Sequence, residues 1–343
     1  MSRVVLVTGV SRDIGARFAR ALAATATCEV IGLDLTPPRH DLDGVDFVRA
    51  DIRGPLLHKL LLRRQVDTVV HLSIADPTEA MSGHRAQVKE SNVLGTMQLM
   101  ASCQLVPSID KLILMGSSAV YGSGPLDPAR FAEDSQVHTG NRTSFGRDAA
   151  EVEEYVRGFA RRRREVCVTL LRMAPAMGAG VDTALTRALA LPVVPKALGF
   201  DARLQFLHPV DAVNALIAVT ERDLPGTFNV AADDVVPLSQ ALRILGRPAV
   251  DLAPAIAPLV LGAARTVGLA KVPTDQFRTL THGRVIDTER FTGATGLHPH
   301  YTSRRAIEEF AAFARPGILS AHRIDAVLDS AARMLAPDRE GTR

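Results

Sequence analysis

Short apolar runs alternate with amphipathic segments along the first half of the chain. The apolar runs predict strands at residues 4–7, 29–34, 46–50, 67–72, 111–115 and 166–171. The segments between them place apolar residues at helical spacing and predict helices at 14–22, 55–64, 92–100 and 145–163. Strands that alternate with helices at this rhythm are typical of an α/β fold built on a doubly wound parallel sheet.

The alternation loosens after Arg172. Proline and glycine are frequent between residues 175 and 195; beyond them the pattern predicts helices at 211–221, 238–245 and 304–313 and a strand at 226–230. We expect a smaller, mixed α/β lobe that closes over the carboxyl edge of the sheet. The predicted division is a first domain at 1–175, a substrate lobe at 176–315 with segments that return to the first domain, and a tail at 316–343.

The first predicted strand ends in a turn that leads directly into a helix. Gly9 allows a sharp turn, and Gly15 lets the helix approach the strand closely. The residues at the helix N-terminus, where backbone N–H groups and the helix dipole favour a pyrophosphate, are Ser11, Arg12, Asp13 and Ile14. The middle glycine of the usual dinucleotide fingerprint is missing, because Arg12 and Asp13 occupy the places where it could sit.

The second predicted strand ends in an acidic residue, Asp34. Its position is a little over the roughly 20 residues at which dinucleotide sites place such a group. A carboxylate there accepts hydrogen bonds from a ribose diol and repels a 2′-phosphate, so NAD(H) is favoured over NADP(H). The alternative is that Asp34 only caps the end of its strand.

Composition and charge mainly argue against certain classes of protein and site. A formal net charge of +3 in 343 residues offers no electrostatic basis for nucleic-acid binding. The apolar stretch at 252–269 is interrupted by Pro254, Pro258 and Arg265, so no transmembrane segment is predicted. A strand begins almost directly after Met1, which argues against a signal peptide and makes the cytoplasm the expected location. The three cysteines form no metal or redox pattern, and we expect no metal site.

A set of motifs in a fixed order resembles one enzyme family. The set comprises Thr8-Gly9 through Gly15, Asp34, Asp51-Ile52, His71-Leu72-Ser73-Ile74-Ala75, Asn92, Ser117-Ser118-Ala119-Val120-Tyr121-Gly122, Leu171-Arg172 and Phe206-Leu207-His208-Pro209-Val210-Asp211. With these residues the chain resembles the extended short-chain dehydrogenase/reductase family, which contains the nucleotide-sugar epimerases and dehydratases. It looks most like an actinobacterial subgroup described as UDP-glucose 4-epimerase-like.

The resemblance implies a Rossmann domain, NAD as the cofactor and a small-molecule substrate such as a nucleotide sugar. It implies that Asp51 and Ile52 contact the adenine and that Leu72, Ser73 and Ile74 pass beneath the nicotinamide ribose. It also assigns Asn92 and Pro175 to the cofactor site, with Asn92 supporting the active-site helix. The alternative for Asn92 is that it only caps a turn. Ser117 matches the catalytic serine or threonine; Ser118 is the alternative, and a third interpretation is that both hydroxyls only bond the strand end. A homodimer formed through two helices, including residues 95–103 and 145–163, is expected as well.

The chain departs from the family at the residues that move the proton. The family uses a tyrosine followed four residues later by a lysine, whose charge lowers the pKa of the tyrosine. Phe145 stands at the tyrosine position and Ala149 at the lysine position. Tyr121 and His138 are the credible stand-ins. The dehydratases also have an acidic pair where this chain has Ser118 and Ala119, which argues against sugar dehydration.

Three functions are therefore compatible with the sequence. The first is an NAD-dependent epimerase or oxidoreductase with a degenerate active site, which acts on a nucleotide sugar or related alcohol through Ser117 and an unconventional base. The second is a non-catalytic NAD(H)-binding pseudoenzyme that serves as a redox sensor or scaffold. The third is a catalyst of a reaction that needs no hydride transfer.

Overall fold

The centre of the fold is a seven-stranded parallel sheet in a computed structural model that describes residues 3–38, 41–74, 85–135, 140, 142–253 and 274–314. The strands of the described chain are β1 (Arg3–Thr8), β2 (Cys28–Asp34), β3 (Asp46–Arg49), β4 (Thr68–His71), β5 (Lys111–Ser117), β6 (Cys167–Met173), β7 (Val194–Ala197), β8 (Arg203–Leu204), β9 (Gly226–Val230), β10 (Val236–Pro237), β11 (Ala249–Leu252) and β12 (Gly283–Arg284). The central sheet has the order β3-β2-β1-β4-β5-β6-β9, and all its neighbouring pairs are parallel. The expected doubly wound α/β fold is confirmed.

Helices cover both faces of this sheet. The helices of the described residues are α1 (Asp13–Ala24), α2 (Leu56–Arg63), α3 (Arg85–Gln104), α4 (Ser144–Arg162), α5 (Ala184–Leu189), α6 (Pro209–Glu221), α7 (Leu238–Ile244), α8 (Thr274–His282), α9 (Glu289–Thr295) and α10 (Ser303–Phe313). One core lies under α1 and α6, with Phe18 and Leu216 fully buried. The other lies under α2, α3 and α4, with Leu57, Leu99 and Val156 fully buried. Two apolar layers around one sheet explain why its strands are apolar on both faces.

The strand order reverses between β1 and β4, which lie side by side at the centre of the sheet. The connections from these two strands leave on opposite faces, and a crevice opens outside their carboxyl ends. Ligands of open α/β sheets bind in such crevices. The turn after β1, the end of β4 and the end of β5 are therefore the places at which the candidate residues must meet.

A second group of elements forms a core of its own. It contains the three-stranded sheet β10-β8-β12 and the two-stranded sheet β11-β7. Met177, Phe206, Leu238, Leu280 and Ile307 are buried together in this core. The predicted helices at 238–245 and 304–313 correspond to α7 and α10 of this group. This arrangement is the basis for treating residues 176–315 as a substrate lobe, which stays a prediction.

The chain returns from this group to the central sheet. α6 packs beside α1 on the sheet, and β9 pairs with β6, with Thr169 beside Gly226 and Met173 beside Val230. A buried lysine fixes the return, because Lys111 Nζ donates to the Thr220 and Arg222 carbonyls at 2.9 and 2.8 Å and pairs with Asp223 at 2.8 Å. The first residue of β5 thereby holds the end of α6.

The predicted tail at 316–343 and most of the apolar stretch at 252–269 lie outside the described residues. Within the described ranges, no helix is both long enough and apolar enough to cross a membrane.

Candidate functional site

The turn after β1 is as tight as the two glycines predict. Gly9 has φ +82°, and a Cβ added to it would lie 2.8 Å from the carbonyl carbon of Leu72 at the end of β4. A Cβ on Gly15 would lie 2.1 Å from the Gly9 oxygen, closer than any side chain permits. Helix α1 therefore begins directly against the strand that precedes it. This cradle, which any larger residue would fill, fits a bound dinucleotide.

Asp34 faces this turn from the end of β2. Its carboxylate accepts the backbone N–H of Ser11 at 3.1 Å and that of Thr36 at 3.2 Å. The Ser11 hydroxyl donates to the Thr36 carbonyl. Asp34 therefore joins the glycine turn to the end of the neighbouring strand, as a strand-capping residue would, and its carboxylate lies beside the crevice that a ribose would enter.

The side chains of Arg12 and Asp13 point in different directions at the start of α1. Arg12 occupies the N-cap position, where its side chain makes no capping hydrogen bond. Its guanidinium reaches across the crevice and donates from Nη1 to the Ile74 carbonyl at 2.8 Å. Asp13 pairs with Arg17 at 2.8 Å on the exposed side of the helix. Ile14, the remaining residue of the turn, is half-buried against the core below α1.

The end of β4 carries a buried chain of hydrogen bonds. The Leu72 N–H reaches the Thr8 hydroxyl at 3.3 Å, and that hydroxyl lies 2.7 Å from His71 Nδ1. On the other side of the ring, Nε2 lies 2.9 Å from the Thr96 hydroxyl. Burial lowers the pKa of His71 to about 4, and the positive charge of Arg12 acts in the same direction. The imidazole is therefore neutral and links β1 to α3 beneath the turn.

The remaining residues of the predicted cofactor set lie around the same edge. Ser73 and Ile74 follow Leu72 out of β4, with Ser73 half-buried. Asp51 is held by Arg53 at 2.7 Å, and the hydrogen bonds from Arg53 keep the pKa of this carboxyl below its usual range. Ile52 packs on α3, because a Cβ on Gly95 would lie only 2.7 Å from its Cδ1.

The resemblance assigns Asn92 and Pro175 to the cofactor site. Asn92 lies on α3 and is 1% exposed. Its backbone carbonyl accepts a hydrogen bond from the Thr96 hydroxyl at 2.7 Å, and Thr96 in turn contacts His71. Pro175 follows β6, is half-buried, and accepts the Leu207 N–H at 3.0 Å. The two residues thus lie on different elements, Asn92 within α3 and Pro175 just after β6.

Ser117 ends β5 and begins a short 3₁₀ helix, Ser118–Tyr121. Its Oγ accepts the Ala119 N–H at 3.1 Å, and a hydroxyl that accepts one bond still has its proton to donate. Ser118 is 1% exposed and accepts a long 3.4 Å bond from Arg284 of β12. Of the two serines, Ser117 is the half-buried one, at the carboxyl edge of the sheet.

Helix α4 begins directly against this turn. Thr143 caps it by accepting the Gly146 N–H at 2.9 Å, and a Cβ on Gly146 would lie 2.4 Å from the Ala119 oxygen. Phe145 and Ala149, four residues apart, share one face of this first part of the helix; Phe145 is half-buried and Ala149 is 1% exposed. Tyr155 is ten residues from Phe145, about 15 Å along the axis. Both side chains are apolar: Phe145 packs against the core under α2, α3 and α4, and Ala149 is buried in the core under α1 and α6.

Tyr121 belongs to a buried polar network. Its hydroxyl donates to Asn229 Oδ1 at 2.8 Å and accepts from Arg172 Nη1 at 2.8 Å, and the whole side chain is 0% exposed. Arg172 also forms a two-point ion pair with Glu153, at 2.9 and 2.8 Å. Burial raises the pKa of Tyr121. These contacts argue against Tyr121 as a proton carrier, because its hydroxyl is fully engaged and away from solvent.

His138, the second possible stand-in, and Ala75 of the resembling motif lie outside the described residues. In the ranges that are described, no three His, Cys, Asp or Glu side chains are grouped so as to hold a metal ion.

The pattern of the sequence did not reveal the two buried polar networks, around His71 and around Arg172. Their members are far apart in the chain: His71 is 63 residues from Thr8, and Tyr121 is 108 residues from Asn229. One sequence signal does exist for the first network. A histidine at the end of an apolar strand requires polar partners, although the sequence does not say which ones.

Comparisons with known proteins agree with this geometry. The model of the NAD dependent epimerase/dehydratase family matches residues 5–231. An uncharacterised protein of Mycobacterium tuberculosis is 40% identical over 314 residues, 90% of this chain and 83% of that protein. The dTDP-4-dehydro-6-deoxy-D-allose reductase of a Streptomyces species is 27% identical over 279 residues, 72% of this chain and 82% of the reductase.

Among solved structures, the UDP-glucuronic acid 4-epimerase of Bacillus cereus in complex with NAD shares the fold. Its TM-score is 0.68 at 16% identity, with 91% of this chain and 98% of that chain covered. The strand order, the glycine cradle and the family match all lead to the same assignment. The chain belongs to the NAD-dependent epimerase/dehydratase family, within the extended short-chain dehydrogenases/reductases.

Proposed function

We propose that the protein is an NAD(H)-binding member of this family whose active site is degenerate for the tyrosine-dependent oxidation of a nucleotide sugar or related alcohol. The observation that carries the proposal is the start of α4. Its first turns pack on the turn after β5, and the positions that match tyrosine and lysine hold Phe145 and Ala149. Neither side chain can accept, donate or tune a proton.

The residues that would hold the cofactor support the proposal that the protein binds NAD(H). The cradle at Gly9 and Gly15 leaves space for a pyrophosphate at the N-terminus of α1, and Asp34 offers a carboxylate to the adenosine ribose. The 2′-phosphate of NADP would meet the negative charge of Asp34, which favours NAD. Asp51 and the backbone that follows β4 complete the proposed contacts, with Asn92 as a supporting residue.

The residues at the catalytic positions support the proposal that the active site is degenerate. Bound NAD supplies a hydride acceptor or donor, and the protein must then move a proton on the substrate hydroxyl. Ser117 can donate one hydrogen bond to that hydroxyl but is a very weak base. A positioned acid or base contributes roughly 10²–10⁴-fold to rate. Cofactor binding would therefore persist in this site while turnover is lost.

Restoring the missing pair is the direct test. The wild type and Phe145→Tyr/Ala149→Lys are purified, released NAD is measured by absorbance after denaturation, and conversion of UDP-glucose to UDP-galactose is followed. We expect NAD in both proteins and turnover that is at least about 10²-fold faster in the double variant, because a tyrosine and its lysine then share one helix face. The single variants are the matched controls, since each restores only half of the pair.

Two outcomes would contradict the proposal. A wild type that neither contains NAD nor binds added NAD would refute the cofactor assignment. Wild-type turnover that disappears in Ser117→Ala would show an active site that is not degenerate. Because Ala149 is buried, the double variant is checked by thermal unfolding, and the wild-type measurements decide the question where that variant does not fold.

A non-catalytic role as a redox sensor or scaffold is the second candidate. It is favoured by the state of Tyr121, whose hydroxyl is bound on both sides by Asn229 and Arg172. Under this alternative, the double variant would gain no turnover, and the wild type would distinguish NAD⁺ from NADH by affinity or by its binding of a partner.

The proposal also includes a small-molecule substrate of the nucleotide-sugar type, a cytoplasmic location and a homodimer. The dimer is supported by apolar groups on the outer side of α3, where Leu94 is 41% exposed, and by Leu105 just after it, which is 69% exposed. Helix α4 packs against α3, so both helices that the resemblance assigns to a dimer are adjacent.

A further inference from the structure

Arg284, the last residue of β12, extends from the second group of elements to the carboxyl edge of the central sheet. Its Nε donates to the Gly122 carbonyl at 2.7 Å, and Nη1 lies 3.4 Å from the Ser118 hydroxyl. Nη2 donates to the Ser123 hydroxyl at 3.2 Å. These three acceptors belong to the short stretch that begins directly after Ser117. The guanidinium therefore lies against the turn that follows the hydroxyl of the candidate site.

The backbone around Arg284 holds the side chain in this direction. Gly283, the residue before it, has φ +70°, and a Cβ added there would lie 2.2 Å from the Arg203 oxygen of β8. The residue after Arg284 is bound as well, because the Val285 carbonyl accepts the Phe131 N–H at 2.9 Å. Contacts on both sides thus fix β12. The guanidinium is positioned before a ligand enters, so little conformational entropy is lost on binding.

The positive charge of Arg284 is paired with no carboxylate among the described residues. Its acceptors are a carbonyl and two hydroxyls, all of them neutral. Burial lowers the pKa of Arg284 to about 10, and the negative charge of Asp127 acts in the opposite direction without an ion pair between the two. The guanidinium is therefore charged at neutral pH. A charge buried without an opposite charge is unfavourable, and an anion bound beside it would offset that cost.

A second arginine binds the same turn. Arg142, just before α4, donates from Nε to the Val120 carbonyl at 2.7 Å, two residues before the carbonyl that Arg284 binds. Burial lowers the pKa of Arg142 in spite of the opposing charges of Glu153 and Glu154, neither of which forms an ion pair with it. Two guanidiniums thus contact one turn, and the positive potential there is the sum of both.

We infer that Arg284 binds an anionic group of the substrate, and that this group is a carboxylate on the sugar ring. The inference rests on the proposed binding of a nucleotide sugar and specifies the class of sugar. The contacts of Arg284 use at most three of its five N–H groups, which leaves one on each terminal nitrogen. Two such groups suit the two oxygens of a carboxylate.

The diphosphate is the other anionic group that a nucleotide sugar carries. The place of Arg284 favours the sugar ring over the diphosphate. The guanidinium lies against the turn after β5, and the resemblance assigns Ser117 of that turn to the sugar hydroxyl that reacts. A carboxylate on the same ring would therefore be held close to the reacting carbon.

Three matched ligands test the inference by binding alone. UDP-glucuronic acid has a carboxylate where UDP-glucose has a hydroxymethyl group, and UDP lacks the sugar. Titration calorimetry gives their affinities for the NAD-containing wild type, Arg284→Gln, Arg284→Lys and Arg290→Gln. We expect the wild type to bind UDP-glucuronic acid roughly 10–100-fold more tightly than UDP-glucose, the usual value of a charge-assisted hydrogen bond. Arg284→Gln should reduce this ratio to less than about threefold, and Arg284→Lys should keep part of it.

Arg290→Gln is the matched control. Arg290 is exposed on α9, and its guanidinium lies over the ring of Phe228 in β9. The substitution removes the same charge away from the turn after β5, so the ratio should stay within about twofold of the wild-type value. Thermal unfolding and circular dichroism establish that each variant folds. Where Arg284→Gln does not fold, the wild-type ratio and Arg284→Lys decide the question.

The outcomes separate this inference from the proposed function. An NAD-containing wild type that prefers UDP-glucose, shows no preference or binds neither sugar overturns the inference and leaves the proposed cofactor intact. A wild-type ratio that Arg284→Gln does not change overturns it too. Equal losses of UDP-glucuronic acid, UDP-glucose and UDP binding in Arg284→Gln also overturn it, because Arg284 would then bind the diphosphate. A wild type that contains no NAD and binds none refutes the proposed function instead.

Discussion

The hydrogen bonds around His71 all run in one direction. Thr96 donates its only hydroxyl proton to the Asn92 carbonyl at 2.7 Å, so it must accept from His71 Nε2, which carries the proton of the neutral ring. Nδ1 is then an acceptor for the Thr8 hydroxyl, which in turn accepts the Leu72 N–H. Protonation of Nδ1 would place two donors against each other and break the link between β4 and β1.

This arrangement predicts that stability falls in acid. His71 takes up a proton near pH 6.5 in the unfolded chain but only near pH 4 in the folded protein. Between these values the unfolded state binds more protons than the folded state. The stabilisation that the neutral His71 ring supplies is therefore complete above about pH 6.5 and is lost as the pH falls. Urea unfolding gives the free energy of unfolding of the wild type and of His71→Asn. The amount by which the wild type is the more stable should shrink by roughly 2–3 kcal/mol between pH 7.5 and pH 4.

His298→Asn is the matched control, because the His298 side chain is 71% exposed. It removes an exposed histidine, so its difference from the wild type should change much less between the two pH values than that of His71→Asn. A His71→Asn difference that does not change with pH would contradict the prediction, because it would mean that the ring takes up its proton at the same pH in the native and the unfolded protein.

Some residues of the site could be predicted because their roles are local. Gly9, Gly15 and Asp34 are marked by a strand, a turn and a fixed spacing, and the structure gives the two glycines the close contacts that the turn requires. The partners of Tyr121 could not be predicted in this way. They come from β6 and β9, and only the folded sheet brings Arg172 and Asn229 to its hydroxyl.

Among the elements, α1 shows how one glycine determines where a helix lies. Gly15→Ala would place a methyl group 2.1 Å from the Gly9 oxygen, so α1 would have to move away from β1. We expect a loss of about 1–3 kcal/mol in the free energy of unfolding and a weaker NAD site, because the cradle would widen. Urea unfolding and NAD titration measure the two effects.

Gly293→Ala is the control, since Gly293 also lies in a helix, α9, and nothing is within 4 Å of the place of its Cβ. It should stabilise the protein by about 0.5–1 kcal/mol through helix propensity. Equal effects of the two alanines would disprove the packing role of Gly15.

The bounds of the elements were predictable only where the apolar pattern is continuous. Helix α3 includes Arg85, seven residues before Asn92, the first residue of the periodic apolar segment. Its first two turns are mostly polar, so their sequence carries little periodicity. Strand β5 likewise extends to Ser117, two residues beyond its last apolar position, because Gly116 and Ser117 still pair with Arg172 and Met173 of β6.

At the scale of the whole molecule, the exposed leucines on and just after α3 predict that two copies of the chain associate. Leu94→Glu/Leu105→Glu should convert a homodimer into a monomer, because two charges would be buried where two copies meet. Light scattering after size exclusion gives the mass of each protein. Leu126→Glu is the control, since Leu126 is 80% exposed and lies outside α3 and α4. A wild type that is monomeric at micromolar concentration would contradict the proposed dimer.

The position of β9 has a consequence for synthesis on the ribosome. Among the strands of the described residues, β9 alone pairs with the outer edge of β6, and β9 is synthesised more than fifty residues after β6. Until then the nascent sheet ends in an open apolar edge, a template for pairing with other chains. Asn229, the partner of Tyr121, arrives with the same strand. A fragment ending at 175 would keep that edge open permanently, so the first domain becomes self-contained only after the return segment has been translated.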